Sequence, residues 1–222
     1  MIKQIGYIIN CIQYKDYDLI CELLTKNGVI TFLNKSGLKN NNKLNCNCYK
    51  LSYVEVDLYK GNQKYYKIKD LKVLKYCDII DSNFEKNAFY NFIIEILSNH
   101  LKYDYFDYVI FDELDKIINL LNSNSYNYSN IIMFYGCLLK RNGIINITKN
   151  LELAKNEFVN IFNYFKLERY LNLINDRNVF KIIENTNLLD KDVFIECFKI
   201  LTLIYESAFN INLRSKDLIY II

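Results

Sequence analysis

The 222-residue chain has no proline and no tryptophan, one histidine, six glycines, and few arginines or alanines. Each shortage removes a class of reading. With His100 the sole imidazole, any Ser/His/Asp or Cys/His scheme has a single candidate base. That residue falls at the expected end of a helix, where a partly protonated ring complements the helix dipole. The glycines (6, 28, 37, 61, 136, 143) are scattered, and none opens a GxxxxGK or GxGxxG loop able to cradle a nucleotide phosphate. Seven cysteines (11, 21, 46, 48, 77, 137, 197) show no repeated spacing, and their odd count argues against a disulfide framework. The one close pair, Cys46-x-Cys48, lacks the second pair that tetrahedral zinc requires, so no metal is expected. No apolar run reaches the roughly 20 residues needed to cross a bilayer, and no charged-then-apolar export signal opens the chain. Glu55 and Asp57, the nearest approach to a carboxylate pair, alternate on one face of a strand and read as solvated surface. The expectation is a protein that is not an enzyme, carries no cofactor, makes no membrane contact and resides in the cytoplasm.

Lys, Asn, Ile, Tyr and Phe are abundant, as an AT-rich genome would produce, so only their placement carries an argument. From Lys26 to Lys75 stand eleven lysines against Glu55, Asp57 and Asp70, a local charge of +8. The first 80 residues sum to +6 and the remainder to −3, within a total of +3. Such segregation creates a local positive field that attracts polyanions.

Periodicity divides the chain as charge does. Tyr53 to Tyr59 alternates, with Val54, Val56 and Leu58 on one face and Tyr53, Glu55, Asp57 and Tyr59 on the other, the signature of a half-buried strand. With Gln4–Gln13, Leu19–Leu24, Val29–Asn34 and Tyr65–Leu74 it makes five strands, which suits a small OB-fold barrel. The Lys- and Asn-rich stretch from Lys35 to Cys48 reads as a surface loop. After residue 80 the spacing turns helical. Ser82-Asn83-Phe84-Glu85 has capping-box form, followed by Phe89, Phe92, Ile93, Ile96 and Leu97. Helices are expected over 83–100, 106–122, 129–142 (stopped by Gly143), 151–165, 167–175 and 190–208. The fold class is therefore α+β, a five-stranded OB-fold β-barrel (residues 1–80) followed by an all-helical domain (81–222).

Several short motifs follow in a telling order: Gly6; Tyr14-Lys15-Asp16-Tyr17-Asp18; Leu23-Leu24-Thr25-Lys26-Asn27-Gly28; Lys35-Ser36-Gly37-Leu38-Lys39; Leu58-Tyr59-Lys60-Gly61; Phe134 to Gly143; and Leu213-Arg214-Ser215-Lys216. In order and spacing the chain resembles the RecO family of DNA repair proteins, bacterial recombination mediators. That family has a Tyr-x-Glu-x-Asp turn, a Leu-Leu-Thr-x-x-Gly hairpin, a Lys-Gly loop, a Lys-Gly turn, a Phe-x-x-x-Leu-Leu-x-x-x-Gly helix and a C-terminal Leu-Lys-Ser-Arg. The chain departs from it at Asp16, where the family has Glu, and at Ser36, which intervenes between the loop Lys and Gly. No cysteine lies between Gly143 and Asn187, where many members hold zinc.

The resemblance implies a non-enzymatic, nucleoid-associated protein that binds single- and double-stranded DNA and anneals complementary strands. Its implied partners are RecR and the C-terminal tail of single-stranded DNA-binding protein, and it would help RecA load. On this reading Lys26, Lys35, Lys39, Lys43, Lys60, Lys64 and Lys67 line a phosphate-tracking groove, with Phe32 and Tyr65 preferred over Tyr53 and Tyr59 as base-stacking platforms. A groove at Phe134, Leu138 and Leu139, rimmed by Lys140 and Arg141, is the candidate seat of the acidic tail. The competing class is a helical protein-interaction adaptor whose lysines are ordinary solvated surface.

Overall fold

The computed structural model describes residues 1–39, 49–60, 65–77, 83–100, 108–144 and 189–222. The expected helices at 151–165 and 167–175, together with Lys43, Lys64, Cys46, Cys48 and Ser82, lie outside them. Two compact units are present, Met1–Asp112 and Glu113–Ile222. The first unit thus extends past residue 80 and takes in the first helix.

Strands β1 (Ile2–Tyr14), β2 (Asp18–Thr25), β3 (Gly28–Asn34), β4 (Tyr53–Lys60) and β5 (Tyr66–Lys75) close into a barrel in the order β1-β2-β3-β5-β4. All neighbours are antiparallel except β3 and β5, which run parallel through Phe32↔Tyr66 and Leu33↔Lys67. The interior is filled from alternate positions: Leu19, Cys21 and Leu23 of β2, Val54, Val56 and Leu58 of β4, with Ile8, Phe32, Ile68 and Leu71. Full burial of such a side chain contributes about 1.5–3 kcal/mol, which is what pins the register of each strand.

β1 is long because it serves both neighbours. Gly6 stands opposite Thr25 of β2 and Val54 of β4 at once. A Cβ there would lie 2.1 Å from the Leu24 carbonyl oxygen, so only glycine lets the strands approach. The register slips between Ile8 and Asn10, a bulge that allows the adjacent Ile8 and Ile9 both to be buried.

Helix α1 (Phe84–His100) lies against β1 and buries Phe89, Phe92, Ile93, Ile96 and Leu97, the residues its spacing singles out. Its cap is Asn83, whose Oδ1 accepts from the Lys86 N–H at 3.1 Å, one residue beyond the Ser-x-x-Glu reading. Asparagine caps a helix as well as serine does. His100 ends the helix but is buried, and burial lowers its pKa to about 4. The ring is therefore neutral near pH 7 and supplies no positive charge to the helix end, against expectation.

Helix α2 (Tyr108–Asn122) is followed by α3 (Tyr128–Arg141), α4 (Lys191–Phe209) and α5 (Lys216–Tyr220). Asn127 caps α3 in a reciprocal box with Asn130, and Gly143 beyond its end takes φ +68°. Asp190 caps α4 through the Val193 N–H at 2.9 Å. α3 packs on α4 through Tyr135 against Phe198 and Tyr205, with ring centroids 5.5 and 6.1 Å apart. Among the described residues no helix is long and apolar enough to cross a membrane.

The Leu213-Arg214-Ser215-Lys216 motif has a structural account. Glu206 on α4 accepts from the Leu213 N–H at 2.7 Å and from Lys216 Nζ at 2.8 Å, and Leu213 is buried. One carboxylate thereby fixes the turn between α4 and α5, and its hydrogen bond, with its charge behind it, raises the Lys216 pKa.

Candidate nucleic-acid interface

The lysines of the barrel fall into groups with different surroundings. On the β1–β4–β5 surface they are interleaved with acids. Lys3 Nζ pairs with Glu55 Oε1 at 2.9 Å, which raises the Lys3 pKa, and Lys72 stands opposite Glu55. Two acids, Asp57 and Asp70, face each other in the next rung. That surface is close to balanced and is a poor track for phosphates.

The hairpin stem between β4 and β5 is different. Tyr59 stands opposite Lys67 and Lys60 opposite Tyr66. Successive rungs turn to opposite faces, so Tyr59 and Lys67 share the outer surface while Tyr66 packs against the barrel core. Tyr59 and Lys60 are exposed, while Tyr65, Tyr66 and Lys67 are half-buried. The register slips between Asp57 and Leu58, which sets this stem apart from the acidic rungs behind it.

A second basic and aromatic group forms where the β1–β2 turn meets the exit of β3. Asp18 Oδ1 accepts from the Ser36 N–H at 2.8 Å, and the Tyr17 carbonyl accepts from the Leu38 N–H at 2.9 Å. These bonds hold the exit loop beside the turn. Lys39 Nζ then lies 5.2 Å from the Tyr17 ring centroid, and Lys15 Nζ lies 5.3 Å from that of Tyr14. Tyr14, Tyr17, Lys15, Lys35 and Lys39 are all exposed. Ser36, the intervening residue of the loop motif, adopts φ +55°, a conformation that glycine would take without strain.

The two groups flank one stretch of β3. Leu33 pairs with Ile20 on one side and with Lys67 on the other. At ~4.8 Å per strand spacing, β2 and β5 are about 10 Å apart across it. Tyr14 and Tyr17 were not singled out from sequence; their place in the turn beside Lys15 was the available signal.

Other expected positions fare differently. Phe32 is fully buried in the barrel interior between Cys21 and Tyr66 and offers no face to a base. Its reading as a stacking platform is corrected: inward orientation on β3 makes it a core residue. Lys26 is exposed at the β2–β3 turn, 3.5 Å from Asp112 Oδ1 and 5.8 Å from the Phe111 ring centroid, away from both groups. Thr25 shapes that turn, accepting from the Asn27 N–H at 3.1 Å and donating to the Gly28 carbonyl at 2.8 Å. Tyr53 is tied to Tyr7, with centroids 4.8 Å apart.

In the helical unit Phe134, Leu138 and Leu139 are buried, so they form core rather than an open groove. The expected apolar seat for an acidic tail is corrected accordingly. Lys140 and Arg141 occupy the last turn of α3, where cations complement the helix dipole. Among the described residues no group of three or more His, Cys, Asp or Glu side chains could hold a metal ion.

Residues 1–77 match the family model described as Recombination protein O N terminal. No curated protein matches the chain. The matched span covers the whole barrel, and the five-stranded OB-fold is that family's domain.

Proposed function

We propose that this protein, whose N-terminal barrel matches the RecO family's N-terminal domain, acts in DNA repair and recombination by gripping DNA on the face of the barrel where β3 meets β5. The outward rung Tyr59↔Lys67 and the exposed Lys60 next to it, together with the Tyr17 and Lys39 group across β3, carry the reading. Ammonium groups displace condensed counterions along a phosphate backbone, and phenol rings stack on bases without regard to their identity. Lysine is a point charge without the planar fork with which arginine reads a guanine edge, and no arginine occurs in the first 80 residues. Binding is accordingly salt-sensitive and nearly sequence-blind.

The finer role follows from the family. The protein is non-enzymatic and cytoplasmic, binds single- and double-stranded DNA, and anneals complementary strands. It works with RecR and with the tail of single-stranded DNA-binding protein to help RecA load. Titration of a labelled oligonucleotide at several salt concentrations tests the DNA grip. With about four phosphates neutralised on a single strand, the log–log slope is near −3. A flat response refutes it. Annealing of complementary oligonucleotides, with and without the coating protein, tests the mediator role.

A further inference from the structure

We propose that Cys11 and Cys21 form a reversible disulfide that staples β1 to β2 inside the barrel. The two residues are direct register partners on neighbouring antiparallel strands. Directly opposed residues of such strands have Cα atoms ~4.5–5.5 Å apart, within the roughly 4.4–6.8 Å span that a disulfide bridges without moving backbone. Both side chains turn to the same side: Cys21 belongs to the barrel core and Cys11 packs against it. The Cys11 thiol donates to Cys21 Sγ at 3.1 Å.

The pair is also asymmetric in access. Cys21 is fully buried, whereas Cys11 is half-buried and is the sulfur an outside reagent meets first. With a small-molecule disulfide such as oxidised glutathione as oxidant, the Cys11 thiolate attacks one of its sulfurs and expels one glutathione thiolate. Deprotonated Cys21 then attacks the Cys11 sulfur of the mixed disulfide and expels the second. Two protein thiols and one oxidised glutathione become one protein disulfide and two reduced glutathiones, so atoms and electrons balance. A reductant reverses the exchange. The inference is independent of the nucleic-acid reading, because it concerns only the β1–β2 ladder.

The sequence supplies a clean readout. Lys3, Lys15 and Lys26 delimit two tryptic peptides, Gln4–Lys15 and Asp16–Lys26, each with one cysteine. The folded full-length protein is treated with oxidised glutathione, quenched with N-ethylmaleimide in denaturant, digested and analysed by mass spectrometry. The expected product is these two peptides joined, two hydrogens lighter than their sum, and separated again by dithiothreitol. Cys11→Ser abolishes the linked species. Cys21→Ser, if it folds, leaves glutathione parked on Cys11. Recovery of Asp16–Lys26 fully alkylated by maleimide from the oxidised wild-type protein overturns the proposal, as does a stable glutathione adduct on wild-type Cys11.

Discussion

Tyr59 and Lys67 stand directly opposite one another across the β4–β5 ladder, and the next rung, Lys60 with Tyr66, repeats the pairing with the strands exchanged. Tyr59→Ala is expected to weaken single-strand binding by about 1–3 kcal/mol. Lys67→Gln is expected to reduce the salt slope by about 0.7. Fluorescence anisotropy at several salt concentrations measures both. Unchanged affinity and slope in the two variants would remove the hairpin stem from the interface.

Phe32 gives the opposite expectation. Phe32→Ala empties the centre of the barrel and costs about 3–5 kcal/mol in urea unfolding. Phe32→Leu keeps an apolar filling and leaves DNA affinity per folded molecule unchanged. A specific loss of binding in the Leu variant, with folding intact by circular dichroism, would restore Phe32 as a contact residue.

Two backbone positions respond in opposite directions to a change of one carbon. Gly6→Ala thrusts a methyl group at the Leu24 carbonyl and is expected to cost about 3 kcal/mol or more. Ser36→Gly removes left-handed strain worth about 1–2 kcal/mol while giving back about 0.4–1 kcal/mol of unfolded-state entropy. The N–H that Asp18 holds is retained, so the net result is a small gain in midpoint. Chemical denaturation of each variant checks the signs.

Burial lowers His100 from 6.5 to about 4. The unfolded chain therefore takes up a proton that the folded state resists. Stability from this group is full above pH ~6.5 and is lost as pH falls from there towards 4, by about 3 kcal/mol in all. His100→Gln should flatten the acid limb of the stability profile in that window. An identical profile in the variant would show that other groups drive acid unfolding.

The barrel was legible because Val54, Val56 and Leu58 alternate with polar neighbours, and because each strand is bounded by a turn. The stacking residues were harder to read for a reason specific to β3. Phe32, Leu33 and Asn34 are consecutive and all buried, since this end of the strand is covered on more than its inner face. No alternation survives there to say which side chain faces out. Alternation alone puts Tyr59 beside the acid Asp57, a poor place for a phosphate, but the register slip between Asp57 and Leu58 divides the acidic rungs from the basic ones. That slip depends on the partner strand. In α3 the spacing of Phe134, Leu138 and Leu139 suits a core stripe more readily than a groove, and their burial decides for the core.

Among the described residues, β3 and β5 meet through only two rungs, whereas each antiparallel neighbour is joined along most of its length. The wall of the cylinder is thus fastened by a clasp at one place. Thermal breathing begins at the weakest ladder, so the amides of Tyr66 and Lys67 should trade hydrogen for deuterium sooner than those along β2. A visiting strand seated on that clasp would hold it shut and slow the trade.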